Sequence, residues 1–206
     1  MDEKILQYYA EDDESSRITG DAIERIRTQE IISRYVSSSP LNILDIGGAA
    51  GVYSFWLSEL GHKVSLLDIT EKHVEQAKDI SKKSVYPLES IHIGDGRRLP
   101  FGDESFDVVL LLGPLYHLTE QEERIKTLLE ARRVMKKGAI IFTAAISRYA
   151  SMIDGFVYNL INDPVYVEIM MEDLNSGHHR NIGDSKYFTT SFFHLPEELV
   201  QEMTAA

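Results

Sequence analysis

Short apolar runs alternate with helical patterns through the middle of this chain, and this alternation most constrains its fold. The runs are LNILDI (41–46), KVSLLDI (63–69), ESIHIGD (89–95), FDVVLLLG (106–113) and GAIIFTAA (138–145). Segments between them carry apolar residues at three- and four-residue spacing, as in GVYSFWLSEL (51–60). Strands alternating with helices favour a mostly parallel sheet covered on both faces. We therefore expect an α/β, Rossmann-like, doubly wound fold that binds ligands beyond the carboxyl ends of its strands.

The regions flanking this core carry different patterns. We interpret residues 1–206 as one domain whose core is 41–145. Residues 1–38 are predicted to form a helical N-terminal cap, because apolar residues recur at helical spacing in GDAIERIRTQEIISRYV before Pro40. Residues 147–187 break the alternation and are rich in Tyr, Met, Asn and His, which indicates a lid over the top of the sheet. Residues 196–206 predict a C-terminal helix.

Composition excludes several kinds of site. The chain has 33 acids against 21 bases, a formal net charge of −12, which argues against a nucleic-acid partner. It has no cysteine, so disulfides, Cys-ligated zinc and a thiol nucleophile are excluded. His178 and His179 lack acids at metal-ligand spacing, so they are expected to be solvated and no metal site is predicted.

The N-terminal sequence and the apolar runs bear on location. MDEKILQYYAEDDESSR is acidic and polar, without the basic and apolar regions of a signal peptide. The longest apolar run is far shorter than the ~20 residues that span a bilayer. We expect a cytoplasmic protein with no membrane partner.

The loop after the first predicted strand decides between families of nucleotide-binding protein. A dinucleotide fingerprint G-x-G-x-x-G fails in both registers: from Gly47 it meets Ala49 and Val52, and from Gly48 it meets Ala50. A phosphate-binding P-loop fails as well, because no Gly-Lys-Ser/Thr follows.

The loop instead resembles the first motif of the class I S-adenosylmethionine-dependent methyltransferases, in their small-molecule branch. In ILDIGGAAG, Gly47 and Gly51 match the family glycines and Ala49 replaces the middle one. Asp68 matches the acid that binds both ribose hydroxyls, for which an ionised carboxylate offers paired acceptors. GDGRRLPF resembles the adenine-binding element, and FGDESFDVVLLLGPLYHL resembles the fourth strand with its loop. These matches span residues 41–145 in the family's order.

The resemblance implies S-adenosyl-L-methionine as cofactor, with defined residues around it. Asp45 would orient the loop and the ligand's amino group, and Asp95 would accept from the adenine amino group. Each acid has a local alternative, since Asp45 and Asp68 could cap backbone amides and Asp95 could be a turn residue. The full implied set is Asp45, Gly47, Gly48, Ala49, Gly51, Asp68, Ile69, Asp95, Gly96, Arg97, Leu112, Tyr9 and Arg17. Tyr9 and Arg17 would close over the methionine end, and Gly96 and Arg97 would flank the adenine.

The reaction that the resemblance implies is an in-line displacement on a sulfonium methyl group. It needs alignment and the exclusion of water, and a base only when the acceptor atom carries a proton. His117 follows LGPLY at the tip of the fourth strand and is the candidate base; its alternative role is a packing contact with the cofactor.

The acceptor is predicted to be a small molecule. LGPLY lacks the Asn/Asp-Pro-Pro-Tyr/Phe signature of enzymes of this fold that methylate amides or base amines. Tyr149, Phe156, Tyr158 and Tyr166 of the lid are expected to shape an apolar pocket. Two alternatives remain: a non-catalytic module that binds S-adenosylmethionine or its product, and a dinucleotide-dependent oxidoreductase.

The C-terminal end departs from the family pattern. Class I methyltransferases usually close with an antiparallel hairpin beside the fifth strand, and EMTAA stands where it should begin. The fifth strand is therefore expected at an unpaired edge, which predicts pairing with a second copy in a homodimer.

Overall fold

The fold is built on a five-stranded parallel sheet. The computed structural model describes residues 22–36, 39–180 and 188–206. The strands lie in the order β3-β2-β1-β4-β5, and every neighbouring pair is parallel. They are β1 (Asn42–Ile46), β2 (Lys63–Asp68), β3 (Ser90–Ile93), β4 (Phe106–Leu111) and β5 (Met135–Thr143). The strand order reverses between β1 and β4, where sheets of this type place their ligands.

Helices connect these strands, and a second group of elements follows the sheet. The first group is α1 (Ala22–Ser33), α2 (Val52–Glu59), α3 (Glu71–Lys83), α4 (Pro114–His117) and α5 (Gln121–Val134). The second is β6 (Ile146–Ser147), α6 (Ala150–Val157), a 3₁₀ turn (Leu160–Asn162), α7 (Pro164–Ser176), β7 (His178–His179), β8 (Ser191–His194) and α8 (Pro196–Ala205).

Successive residues of the central strands supply two apolar cores, because side chains alternate across a strand. Ile43 of β1 faces one core, where the sheet packs against α1, α2 and α3. Leu44 faces the other, where the sheet packs against α5 and α8. Both side chains are fully buried. The helices on both faces confirm the predicted doubly wound fold.

The last strand of the sheet begins earlier than the sequence predicts. Lys136-Lys137-Gly138 is typical of a helix end, yet α5 ends at Val134 and these residues lie within β5. Between the pairs Phe106–Met135 and Val108–Ile140, a step of two residues on β4 spans five on β5. Gly138 has φ +79° inside this bulge. A bulge and a helix end both use a left-handed glycine, which explains the error.

The apolar spacing in α1 does not coincide with its buried side. Ile23, Ile26 and Tyr35 are 79%, 57% and 60% exposed, whereas Ile32 is buried against the sheet. The rest of the predicted N-terminal cap, residues 1–21, lies outside the described residues.

The lid region forms two helices and a small second sheet. The strand order is β6-β8-β7, with β8 parallel to β6 and antiparallel to β7. Strand β8 also packs against α4, which follows the central strand β4. Tyr166 is buried, but Tyr149, Phe156 and Tyr158 are 47%, 66% and 69% exposed. The prediction that all four aromatic residues shape an apolar pocket is therefore wrong for those three, since they face outward.

A buried ion pair holds α8 on α5. The Nη2 of Arg124 lies 2.7 Å from Oε1 of Glu202, and both side chains are almost completely buried. Arg124 also donates to the carbonyls of Leu118 and Thr119, and its guanidinium lies 3.8 Å above the centre of the Phe192 ring. One side chain thus joins α5, the end of α4, β8 and α8.

Strand β5 lies at the edge of the main sheet, as predicted. In the described part of the chain, its only strand partner is β4. Its residues remain partly exposed, whereas most residues of β1, β2 and β4 are buried. Within the same described residues, no helix has both the length and the apolar character needed to cross a bilayer.

Candidate functional site

The glycine loop after β1 is tied to β2 and pressed against α4. The N–H of Gly47 donates to the carbonyl of Leu67 at 2.7 Å. Gly47 has φ +72°, and a Cβ there would stand 2.6 Å from Cγ of Pro114. A Cβ on Gly48 would stand 2.7 Å from Oδ2 of Asp45. These two positions exclude side chains, so the loop follows the ends of β1 and β4 closely.

Asp68, at the end of β2, organises the backbone around it. Its Oδ2 accepts from the N–H of Ala49 at 2.9 Å, and its Oδ1 accepts from the N–H of Thr70 at 2.8 Å. The side chain is buried. An ionised carboxylate has about four acceptor positions, so these bonds leave about two, and Nδ1 of His73 approaches Oδ1 at 3.5 Å. The capping alternative and a ligand-binding role for Asp68 are therefore compatible.

Ala49 adopts a conformation that glycine adopts more easily. Its φ of +47° lies in the left-handed region, which costs an L-residue roughly 1–2 kcal/mol. The N–H bond to Asp68 holds it there. The family's middle glycine is thus replaced by an alanine that keeps the backbone geometry at an energetic cost.

Asp45 is a buried acid directly beneath the loop. It is 2% exposed, and its Oδ2 accepts from Oγ of Ser54 at 2.7 Å. Burial raises its pKa to about 6; the bond from Ser54 opposes this shift, and the charge of Asp68 adds to it. A cation placed beside this carboxyl group would favour its ionised form and lower its pKa again.

Asp95 and Arg97 form a second charged feature, after β3. The Nε of Arg97 lies 3.0 Å from both carboxylate oxygens of Asp95, and its Nη1 pairs with Glu123 of α5. Burial acts to raise the pKa of Asp95, but the hydrogen bonds from Arg97 outweigh it and hold that pKa below its usual range. Arg97 therefore points at its two acids, and Asp95 is kept ionised.

A small cleft opens between these loops and α4. Its lining combines the ends of β1 and β2, the loop after β3, and two helices. The residues are Ile46, Gly47, Leu67, Ile69, Gly94, Asp95, Gly96, Pro114, Leu118 and Thr127. It lies at the carboxyl edge of the strands, where the α/β interpretation places a ligand.

The predicted residues divide into three groups around this cleft. Gly47, Ile69, Asp95 and Gly96 line it. Asp45, Gly48, Ala49, Gly51 and Asp68 belong to the loop and strand ends that shape it, without being among its lining residues. Leu112 packs on the core that faces α1 to α3, and Arg97 is turned to Asp95 and Glu123. Tyr9 and Arg17 lie outside the described residues.

His117 is placed on the lid side of α4. It is buried, with its ring 4.4 Å from that of Tyr116 and 6.3 Å from that of Phe188. Pro114 begins the same helix and lines the cleft, whereas His117 does not.

Sequence reasoning missed Thr127 and Leu118 as cleft residues. Thr127 is fully buried on α5, and its hydroxyl donates to the carbonyl of Glu123. A Cβ on Gly96 would stand 3.3 Å from the methyl group of Thr127. A threonine in an amphipathic helix carries no signal of this role; only the close packing of α5 against the loop after β3 reveals it.

Comparison with known proteins identifies the fold and a family model that matches part of the chain. Residues 44–143 match the sequence model of the family described as "Methyltransferase domain". This part of the chain, just under half of it, is similar to a methyltransferase domain. A SAM-dependent methyltransferase from Methanosarcina mazei has the same fold, with a TM-score of 0.66, 22% identity, and coverage of 84% of this chain and 82% of that one.

Curated relatives match a little over half of this chain. Methyltransferase GfsG of Streptomyces halstedii is 25% identical over 121 residues, covering 58% of this chain and 42% of the relative. The ubiquinone biosynthesis O-methyltransferase of Caulobacter vibrioides is 28% identical over 108 residues, covering 52% and 42%. The chain thus spans less than half the length of these relatives.

The donors and acceptors around the cleft suit an adenosyl ligand that ends in an amino acid. Gly47 and Gly96 leave room that a Cβ would fill, Asp68 keeps two acceptor positions, and buried Asp45 favours a cation beside it. Within the described residues, no cluster of three acids or histidines could hold a metal ion.

Proposed function

We propose that this protein transfers a methyl group from S-adenosylmethionine to a small-molecule acceptor. The observation that carries the proposal is the anchored Asp68 at the carboxyl edge of the sheet, beside the glycine loop and the cleft. Bound S-adenosylmethionine supplies a methyl group attached to a positively charged sulfur. The charge makes the sulfur a good leaving group, which departs as a neutral thioether.

Different residues of the site bind different parts of the ligand. Asp68 holds the ribose hydroxyls with its two remaining acceptor positions, and the cleft formed by Ile69, Asp95 and Gly96 takes the adenine. Gly47 and Gly48 let the methionine end approach the loop, where Asp45 faces its amino group. The helix α4 closes the far side through Pro114 and limits the access of water.

The acceptor class rests on charge and on the lid. A net charge of −12 disfavours nucleic acid as the acceptor. The small sheet packs against α4, at the end of β4, and so covers the side where an acceptor would enter. The match to an O-methyltransferase of ubiquinone biosynthesis, a small-molecule pathway, supports the same class.

Calorimetric titration with S-adenosylhomocysteine tests the binding step. The wild-type protein is expected to bind it and to ignore NADH. Asp68→Asn keeps one acceptor oxygen but removes the charge, and hydrogen bonds to a charged group contribute about 1.5–3 kcal/mol, so affinity should fall roughly tenfold or more. Asp79→Asn, which changes an exposed acid of α3, is the matched control.

Two results would contradict the proposal. One is binding of NADH without S-adenosylhomocysteine. The other is tight binding that Asp68→Asn leaves unchanged in a folded variant, as judged by its thermal unfolding midpoint. Transfer of tritium from methyl-labelled S-adenosylmethionine to small hydroxyl, amine and thiol probes then tests the chemical step and separates an enzyme from a module that only binds the cofactor.

A further inference from the structure

A buried acid–histidine pair joins α7 to β7 in the lid. Asp173 is fully buried and His179 is 3% exposed. The Nδ1 of His179 lies 3.1 and 2.9 Å from the two carboxylate oxygens of Asp173. Ser151 of α6 donates its hydroxyl to the same carboxylate. Ser151 and His179 therefore both contact Asp173. Because the histidine does not contact the serine hydroxyl, it does not activate the serine as a nucleophile.

This contact fixes which nitrogen of His179 carries the proton. An ionised carboxylate only accepts, so Nδ1 holds the hydrogen and Nε2 is left as an acceptor. The Nε2 atom is buried and has no hydrogen-bond partner among the described residues. A buried polar atom without a partner costs about 1–3 kcal/mol. Nε2 is therefore free to accept a hydrogen from a ligand atom.

Aromatic contacts connect His179 with α4, the helix that borders the cleft. Its ring stacks on Phe193 of β8, with centroids 4.8 Å apart and planes 11° apart. The ring of Phe188 lies 6.0 Å from His179 and 6.3 Å from His117 of α4. Strand β8 packs on α4, and Pro114 of α4 lines the cleft. The imidazole thus lies in an aromatic box on the lid side of α4, opposite the side on which Pro114 lines the cleft.

We propose that His179 is the general base for the methyl acceptor, that Asp173 positions it, and that the acceptor is a hydroxyl compound. This inference rests on the proposed function. Nε2 takes the hydroxyl proton, and an electron pair of the oxygen forms the bond to the methyl carbon. The electrons of the carbon–sulfur bond return to sulfur, which gives a methyl ether and S-adenosylhomocysteine. The imidazolium then releases the proton to solvent.

The other charged groups near this pair have partners of their own, so Asp173 is the charged group that contacts His179. Arg148 donates to the carbonyl of Phe193 and to the carboxylate of Glu198 on α8. His117 faces the box from α4, across the ring of Phe188. Arg180, the next residue, is exposed and pairs with Glu168 and Glu172 of α7.

The tautomer of His179 is a readout that needs no reaction. Nitrogen NMR of histidine-labelled protein, assigned by His179→Asn, should show a protonated Nδ1 and an unprotonated Nε2. Asp173→Asn should weaken that preference, and Ser151→Ala should keep it. A wild-type signal with the proton on Nε2 would overturn the proposal whether or not the variants fold.

Methyl transfer to phenol and catechol probes, against their methylated ethers, tests the chemistry. His179→Asn should lower kcat by about 10²–10⁴-fold, the usual contribution of a general base, while affinity for S-adenosylhomocysteine is unchanged. Asp173→Asn should cause a smaller loss. The wild-type rate should rise with pH along a limb that His179→Asn lacks. His178→Asn, at the exposed neighbour, should leave rate and pH profile unchanged.

The outcomes separate this inference from the proposed function. Failure to bind S-adenosylhomocysteine contradicts the function itself. Binding without methylation of either hydroxyl probe, or a rate and pH profile that His179→Asn does not change, overturns only the role of His179. If His179→Asn lowers the thermal unfolding midpoint as well as the activity, His179→Gln is tested instead. An unchanged kcat in a folded His179→Gln variant would also contradict the role of His179 as the base.

Discussion

At the scale of single residues, Asp45 couples the site to the stability of the fold. Its pKa is raised to about 6 chiefly by burial. The folded protein therefore holds this proton more tightly than the unfolded chain does, and ionisation of Asp45 opposes folding. The stabilising contribution is present below the ordinary aspartate pKa and is lost as the pH rises through about 6.

Asp45→Asn should remove this dependence. The amide oxygen can still accept from Ser54, but the buried charge is gone. In urea unfolding, the free-energy difference between variant and wild type should shift by about 1–3 kcal/mol in favour of the variant between about pH 3.5 and about pH 8. Asp79→Asn, at an exposed acid whose pKa is lowered by Lys82, should not show this shift. A constant difference across that range would contradict the assignment.

Residue positions were predictable where short motifs carry them. Asp68 lies beside Ala49, and Gly47 and Gly96 line one cleft, because spacing along a βαβ unit sets these neighbours. His179 was not predictable: HH in a polar segment is typical of solvated residues, and its partner Asp173 becomes visible only once α7 turns back at Gly177. His178 is exposed as expected, but the expectation for His179 is wrong.

At the scale of elements, the contact between α5 and α8 contains one buried ion pair beside its apolar packing. Glu202→Ala should leave Arg124 as an uncompensated buried cation and lower the free energy of unfolding by about 3–5 kcal/mol. Urea or thermal unfolding measures this. Arg124→Met combined with Glu202→Leu should recover much of the loss, since it removes both charges.

An exposed ion pair provides the control for this prediction. Asp79→Ala removes the partner of Lys82 on the surface of α3 and should leave stability nearly unchanged. If Glu202→Ala were as mild as this control, the pair would not hold α8 in place.

The strands and most helices could be predicted because their signals are local. Apolar runs mark β1 to β4, and Gly61 ends α2 with φ +91°. The bulge in β5 and the strands β6 to β8 could not be predicted in the same way. The bulge imitates a helix end, and two-residue strands carry too few residues for any periodicity. Their positions are set by tertiary packing against β4 and α4.

At the scale of the whole molecule, the edge strand β5 favours a homodimer. It offers unpaired backbone groups on one side among the described residues. Light scattering with size exclusion should show concentration-dependent dimerisation. Ile140→Lys puts a charge on this strand and should shift the equilibrium toward monomer. Val200→Lys, at an exposed apolar residue of α8, should not. A monodisperse wild-type monomer would contradict the homodimer.

The side chain of Arg148 has a consequence for engineering. It starts at the end of β6, reaches the carbonyl of Phe193 on β8, and pairs with Glu198 on α8. Gly177 lies against it so closely that a Cβ would stand 2.4 Å from the Phe193 oxygen and 2.7 Å from Nη2 of Arg148. The small sheet and the last helix are therefore clasped to each other by one side chain. A chimera that exchanges this region should cross over before β6, carry everything through α8 and keep an arginine at position 124 for Glu202, because a graft ending between β6 and α8 would sever this clasp.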